Sequence, residues 1–322
     1  MITRRRKIIV GVLLVVIGVP LALLLVVALF FSVLNPVLLG VSNQTNGTIV
    51  SSGQKREYLL HVPRSYDRAK PTPLVISLHA AALFPAAQME TSRWNEVADQ
   101  HGFIVVYPSG TLFAPLPFLP SLPIWLLRPE ADLTANVRFI SELIDALEAA
   151  YNIDPTRIYA NGFSNGGAMT FALSCRLSDR IAAVGTVSAA QDQRPGSWCA
   201  DSRPVPLINF HGTADLVPYT GGRVWVSPRP FPSVSTWTAD WARRNRCQPN
   251  PIESLVAADV TRLEYTNCAD DAAVVLYTIR GGGHAWPGGK PLPEWMVGPT
   301  TRSIDASSQM WAFFREHRLA SK

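Results

Sequence analysis

Gly162-Phe163-Ser164-Asn165-Gly166-Gly167 lies between the run Arg157-Ile158-Tyr159-Ala160 and the segment Ala168-Met169-Thr170-Phe171-Ala172-Leu173. The first reads as a strand and the second as a helix, so the hexapeptide has to turn the chain sharply between them. Glycines around the serine remove the side chains that would block such a turn, and the tight turn pushes the serine hydroxyl outward. A Gly-x-Ser-x-Gly in this setting has the form of a nucleophile elbow. Glycine-rich turns also bind phosphate or merely reverse the chain, so the rest of the sequence has to supply the partners of a reactive serine.

Strands and helices alternate on both sides of the elbow. Strands are predicted at Lys55 to Val62, Pro73 to His79, Gly102 to Pro108, Ala182 to Val187, Val205 to Phe210 and Ala273 to Ile279. Helices are predicted at Arg93 to Gln100, Val137 to Tyr151 and Asp305 to His317, the middle one carrying Phe139, Ile140, Leu143, Ile144 and Leu147 on one face. The strand runs are continuously apolar rather than alternating, which implies an α/β fold with a mainly parallel central sheet covered by helices on both faces. No internal repeat is evident.

A serine hydroxyl becomes a nucleophile when a histidine accepts its proton, and a carboxylate holds that histidine in the required tautomer. Asp215 follows the predicted strand ending at Phe210, in His211-Gly212-Thr213-Ala214-Asp215. His284 follows the strand ending at Ile279, in Gly281-Gly282-Gly283-His284-Ala285-Trp286-Pro287. The order Ser164, Asp215, His284 is the one an elbow serine of this type calls for. His211, at a strand end, is read as structural, ordering the acid loop by hydrogen bonds. The backbone N–H groups of Asn165 and of Ala81, in the loop after His79, are the candidate oxyanion donors. Such chemistry needs no metal or organic cofactor.

The N-terminus adds a second theme. From Ile8 to Leu34 every residue is apolar or small except Ser32, and no charged residue occurs between Lys7 and Lys55. This run is long enough to cross a bilayer. Arg4, Arg5, Arg6 and Lys7 before it place the N-terminus in the cytoplasm and the rest outside. The reading is a basic tail (1–7), a transmembrane signal-anchor helix (8–34), a linker (35–54) and a catalytic domain (55–322). The alternative is a cleaved secretory signal ending near Gly40-Val41-Ser42. The four basic residues account for most of the formal net charge of +5, so the domain itself is nearly neutral and no nucleic-acid partner is implied. Cys175, Cys199, Cys247 and Cys268 form no Cys-x-x-Cys metal pattern. In an oxidising compartment their sequence-local pairing is 175 with 199 and 247 with 268, against two other connectivities or four buried thiols.

One stretch breaks the pattern. Thr111 to Leu127 has no charge, four prolines and several large apolar residues. It is read as an apolar insertion: either a lid or acyl-pocket wall, with Phe113 and Trp125 toward substrate, or a segment packed on the domain's own core.

Taken together, the motifs resemble the polyhydroxybutyrate depolymerase and feruloyl esterase group of α/β-hydrolases, including its LpqC-like bacterial members. The likeness runs from about Tyr58 to His317. It rests on Leu78-His79, on Gly102 to Pro108, on Tyr151-Asn152-Ile153-Asp154-Pro155 leading into the elbow, on His211 to Asp215 with Val217-Pro218-Tyr219, and on Gly282 to Gly288. It implies a serine esterase with Ser164, Asp215 and His284 as triad, Trp286 and His79 near the substrate groove, and the two disulfides of the sequence-local pairing. Three features depart from the group's pattern: Ala80-Ala81 stands where Gly-Cys is usual, Asn136 where Asp is usual, and the Thr111 to Leu127 stretch where a more polar, Trp- and Asn-containing segment is usual. The expected function is hydrolysis of short or medium acyl, hydroxyalkanoate-oligomer, feruloyl or acetyl esters outside the cytoplasm. Acyl transfer or peptide cleavage by the same triad, and a catalytically silent anchored binding module, are the alternatives.

Overall fold

The computed structural model describes residues 44–113, 121–128, 130–189, 199, 203–223 and 230–320. The proposed anchor at 8–34 lies outside them, and no helix among the described residues is long and apolar enough to cross a membrane.

Twelve strands are described: β1 (Gly47–Ser51), β2 (Gln54–His61), β3 (Thr72–Leu78), β4 (Ile104–Pro108), β5 (Thr111–Phe113), β6 (Leu122–Ile124), β7 (Ile153–Phe163), β8 (Ala183–Val187), β9 (Leu207–Gly212), β10 (Ile252–Ala257), β11 (Val260–Tyr265) and β12 (Val274–Ile279). Ten of them form one sheet in the order β1-β2-β4-β3-β7-β8-β9-β12-β11-β10, and β5 pairs with β6 apart from it. The pairings from β4 through β3, β7, β8 and β9 to β12 are all parallel. Antiparallel hairpins β1–β2 and β10–β11 close the two edges.

The sequence explains the sandwich. Along β3, Val75 packs into one apolar cluster while Leu74, Ile76 and Leu78 pack into another on the opposite face. This is the pleat of a strand buried on both sides. Helices α1 (Pro85–Ser92), α2 (Trp94–His101) and α7 (Ala306–Phe314) cover the first face. Helices α3 (Glu130–Ala150), α4 (Asn165–Arg176) and α5 (Val234–Arg244) cover the second, and a one-turn α6 (Glu294–Val297) follows β12. Local chemistry sets the helix ends. Ser233 caps α5 through the Thr236 N–H at 3.1 Å, Asp305 caps α7 through the Ser308 N–H at 2.7 Å, and Gly102 ends α2 at φ 73°.

One boundary needs correction. Residues 47–51, read as linker, form β1, whose partner β2 supplies the backbone bonds that their polar, charge-poor sequence did not announce. In the apolar insertion, residues 111–113 and 122–124 form the β5–β6 pair, which suits prolines because it stands outside the main sheet. Residues 114–120 lie outside the described part.

Candidate active site

Because six neighbouring strands are parallel, the loops after β3, β7, β8, β9 and β12 emerge along one edge of the sheet, where α/β folds build their sites. β7 delivers Ser164, which takes φ 53° and ψ −114°, a costly conformation for a residue with a Cβ. The turn is held by the Ser164 N–H donating to the Val187 carbonyl at 2.9 Å and by the Ala168 N–H donating to the Ser164 carbonyl at 3.0 Å. Glycine is required on both sides. A Cβ on Gly162 would lie 2.3 Å from the Gly166 carbonyl, and one on Gly166 would lie 2.3 Å from the Leu78 carbonyl oxygen. The elbow therefore presses α4 against the end of β3. Beneath it, Asn161 Oδ1 accepts from Ser77 Oγ at 2.9 Å and from Trp94 Nε1 at 3.1 Å, tying β7 to β3 and α2.

The loops after β9 and β12 are laced to each other. The Ala214 N–H donates to the Gly282 carbonyl at 2.9 Å, and the Gly281 N–H donates to Thr213 Oγ1 at 2.8 Å. The lacing brings together two residues 69 positions apart: His284 Nδ1 donates to Asp215 Oδ1 at 2.7 Å. Asp215 Oδ1 also accepts the Val217 N–H at 2.7 Å. Burial raises the Asp215 carboxyl pKa, but the hydrogen bond from His284 and the electrostatic pull of the His284 and His211 rings outweigh it, and the net pKa is lowered. Asp215 therefore stays an acceptor, the proton on Nδ1 is fixed, and Nε2 of His284 is left as the basic nitrogen. His284 is partly exposed, with Phe163, the neighbour of Ser164, 5.1 Å from its ring.

His211 is fully buried and its Nε2–H donates to the Val217 carbonyl at 2.9 Å, while standing 3.5 Å from Asp215 Oδ2. Burial lowers its pKa, partly offset by Asp215 and Val217, so the ring is neutral and orders the acid loop.

Asn165 opens α4, where first-turn N–H groups have no intrahelical acceptor and the helix dipole favours negative charge. Ala81 is exposed in the loop after β3. The positive φ that glycine would normally serve in this loop falls on Ala82, at 63°, not on Ala80.

Three residues assigned to the substrate groove are instead interior, and the reason is their polar atoms. His79 donates from Nδ1 to the Ala80 carbonyl at 2.8 Å and accepts the Gly110 N–H on Nε2 at 2.9 Å; burial lowers its pKa to about 4, against a smaller upward push from the Ala80 bond. Trp286 donates from Nε1 to Ser307 Oγ at 3.1 Å and meets Phe163 edge-on. Trp125 donates from Nε1 to the His79 carbonyl at 3.1 Å. Phe113 alone of the four is exposed, on β5.

Three contributors were not read from the sequence. The Asn165 side chain bonds the backbone of Trp125. Leu216, beside Asp215, and Trp295, on α6, are exposed large apolar residues. α6 adjoins the histidine loop, since the His284 N–H donates to the Val297 carbonyl. An exposed tryptophan on a one-turn helix after a Pro-rich stretch carries no periodic signal. Both cysteine pairs are disulfides, Cys175–Cys199 and Cys247–Cys268.

Comparisons with known proteins agree on family and fold. Residues 57–193 match the family described as "Esterase PHB depolymerase". Feruloyl esterase B of Piromyces equi is 32% identical over 242 residues, which is 73% of this chain but only 44% of that protein's length. Putative esterase NocK of Nocardia uniformis subsp. tsuyamanensis is 29% identical over 277 residues, covering 80% of this chain and 79% of that one. Among solved structures, acetyl xylan esterase from Aspergillus awamori superposes with a TM-score of 0.56 at 16% identity, covering 74% of this chain and 93% of that one, a likeness of fold.

Proposed function

Given that the chain belongs to the PHB depolymerase and feruloyl esterase family of α/β-hydrolases, we propose that it hydrolyses carboxylic esters through an acyl-enzyme on Ser164. The observation that carries this reading is the 2.7 Å Asp215–His284 bond at the strand edge where Ser164 stands in its strained turn. In this scheme Ser164 Oγ attacks the ester carbonyl carbon while Nε2 of His284 takes the hydroxyl proton. The negative charge moves to the carbonyl oxygen, where the N–H groups of Asn165 and Ala81 receive it. Collapse breaks the bond to the alcohol, which leaves with the proton returned by His284. Water then repeats the sequence on the acyl-enzyme, releasing the acid and restoring Ser164. Asp215 stabilises the transient imidazolium without taking its proton.

The exposed apolar residues Leu216, Trp295 and Phe113 support an ester with an apolar acyl or aryl portion, including the short-acyl and hydroxycinnamoyl types. The two disulfides support a site of action outside the cytoplasm, with the 8–34 segment as its anchor. Turnover of p-nitrophenyl butyrate by wild type and Ser164→Ala tests the proposal. A loss of at least about 10³-fold is expected, and wild-type turnover by the variant contradicts it.

A further inference from the structure

Asn165 enters the reaction above only through its backbone N–H, yet its side chain is fully engaged. Its Oδ1 accepts the Trp125 N–H at 2.8 Å and its Nδ2 donates to the Trp125 carbonyl at 3.1 Å. Such a pair of bonds is what one residue of a strand offers its antiparallel neighbour. The carboxamide therefore clasps the end of β6 to the residue that follows Ser164.

Trp125 carries the clasp across to the loop after β3. Its indole is buried, donates to the His79 carbonyl at 3.1 Å and lies 5.3 Å from the His79 ring. The same strand segment accepts the Ala82 N–H on the Pro123 carbonyl at 2.9 Å. Ala81 is thus bracketed: His79 before it is held by Trp125, and Ala82 after it by Pro123. Ala82 sits at φ 63°, a conformation that alanine does not keep without outside restraint.

We propose that Asn165 is a positioning residue for the oxyanion site: through Trp125 its side chain sets the place of the Ala81 N–H relative to its own backbone N–H. Two donors on different elements have to be held within about 0.5 Å to receive one oxygen. A carboxamide carries a separate acceptor and donor side by side on one short head, as this clasp requires; ionised aspartate can only accept and leucine does neither. The inference rests on the ester-hydrolase reading.

The test compares Asn165→Leu, Trp125→Phe and the double variant for kcat and KM on p-nitrophenyl butyrate, and for the rate of inactivation by a fluorophosphonate. Leucine keeps the backbone N–H and removes both clasp bonds; phenylalanine removes the bond to His79. The expected result is a fall in kcat of about 10-fold to 100-fold with KM within twofold, a parallel fall in inactivation rate, and a double variant no worse than the poorer single one. Should Asn165→Leu fail to fold, Asn165→Asp, which keeps the bond from the Trp125 N–H, carries the test with an expected loss of about 10-fold. Turnover within twofold of wild type, or losses that multiply in the double variant, overturns the proposal. Ser164→Ala in the same assay separates the two readings. An inactive Ser164→Ala beside an unimpaired Asn165→Leu overturns the clasp alone, whereas an active Ser164→Ala overturns both.

Discussion

Gly166→Ala is the substitution whose cost follows most directly from the geometry of the elbow. The new Cβ would lie 2.3 Å from the Leu78 carbonyl oxygen, 2.5 Å from the His79 carbonyl oxygen and 2.6 Å from the Leu78 carbonyl carbon. A carbon and a carbonyl oxygen rest at about 3.3 Å, so roughly 1 Å has to be found. All three obstacles are backbone and none can rotate aside. Either α4 lifts from β3, or residues 78–79 yield and carry the Ala80–Ala82 loop with them. Overpacking of this kind costs about 1–3 kcal/mol of stability. Displacing the donors by about 1 Å from Ser164 costs about 100-fold in rate. Gly53→Ala is the control, because Gly53 has φ 74° but nothing within 4 Å of the added carbon, in the β1–β2 turn. It bears only the left-handed penalty of about 1–2 kcal/mol. Urea unfolding gives the stability of each variant, and kcat with p-nitrophenyl butyrate gives the function. Gly166→Ala is expected to lose about 100-fold in kcat while Gly53→Ala keeps wild-type turnover. Wild-type kcat in Gly166→Ala would show that the close approach of α4 to the end of β3 does not hold the site in place.

Four other outcomes follow from the same geometry. Asp215→Asn removes the charge that holds the His284 tautomer and stabilises its imidazolium, so kcat should fall by about 10⁴-fold; a loss under tenfold contradicts that role. The fully buried His79 has a pKa of about 4 against an ordinary 6.5, so the unfolded chain takes up a proton that the folded chain refuses. Stability is therefore full above about pH 6.5 and falls by roughly 3 kcal/mol toward pH 4, with His317, also lowered to about 4 by burial, adding to the slope. Urea midpoints at pH 7 and 4.5 should converge for His79→Gln relative to wild type, and equal pH slopes speak against the assignment. Each disulfide closes a loop between cysteines 24 or 21 residues apart, so reduction should cost about 3 kcal/mol per bridge; an unchanged Tm in dithiothreitol contradicts this. Trp295→Ala should raise KM several-fold for naphthyl butyrate while leaving kcat for p-nitrophenyl acetate unchanged, and unaltered kinetics on both would remove Trp295 from the substrate surface.

What could be read from the sequence was whatever leaves a periodic or spacing signal. The buried central strands read cleanly because both faces are apolar, as in Leu74 to Leu78, and the elbow because glycine has few reasons to recur around a serine. Asp215 and His284 were found by their places after β9 and β12, and the structure brings them to 2.7 Å. The edge hairpin β10–β11 was missed because most of β10 is exposed and its apolar residues face solvent. The direction of His79, Trp125 and Trp286 was also hidden. An aromatic or imidazole ring beside a site serves as well behind the wall as in front of it, and only partners such as Gly110, Ser307 and the His79 carbonyl decide which. The Asn165 clasp depends on a loop contact between residues 40 apart that no local pattern encodes.

Covalent trapping identifies the nucleophile, which we propose to be Ser164. The protein is treated with a fluorophosphonate at pH 7.5, digested, and the modified peptide sequenced by mass spectrometry. One adduct per chain on Ser164, formed by wild type and absent from Ser164→Ala, is the predicted result. An adduct on another residue, or labelling of Ser164→Ala at the wild-type rate, would contradict the account.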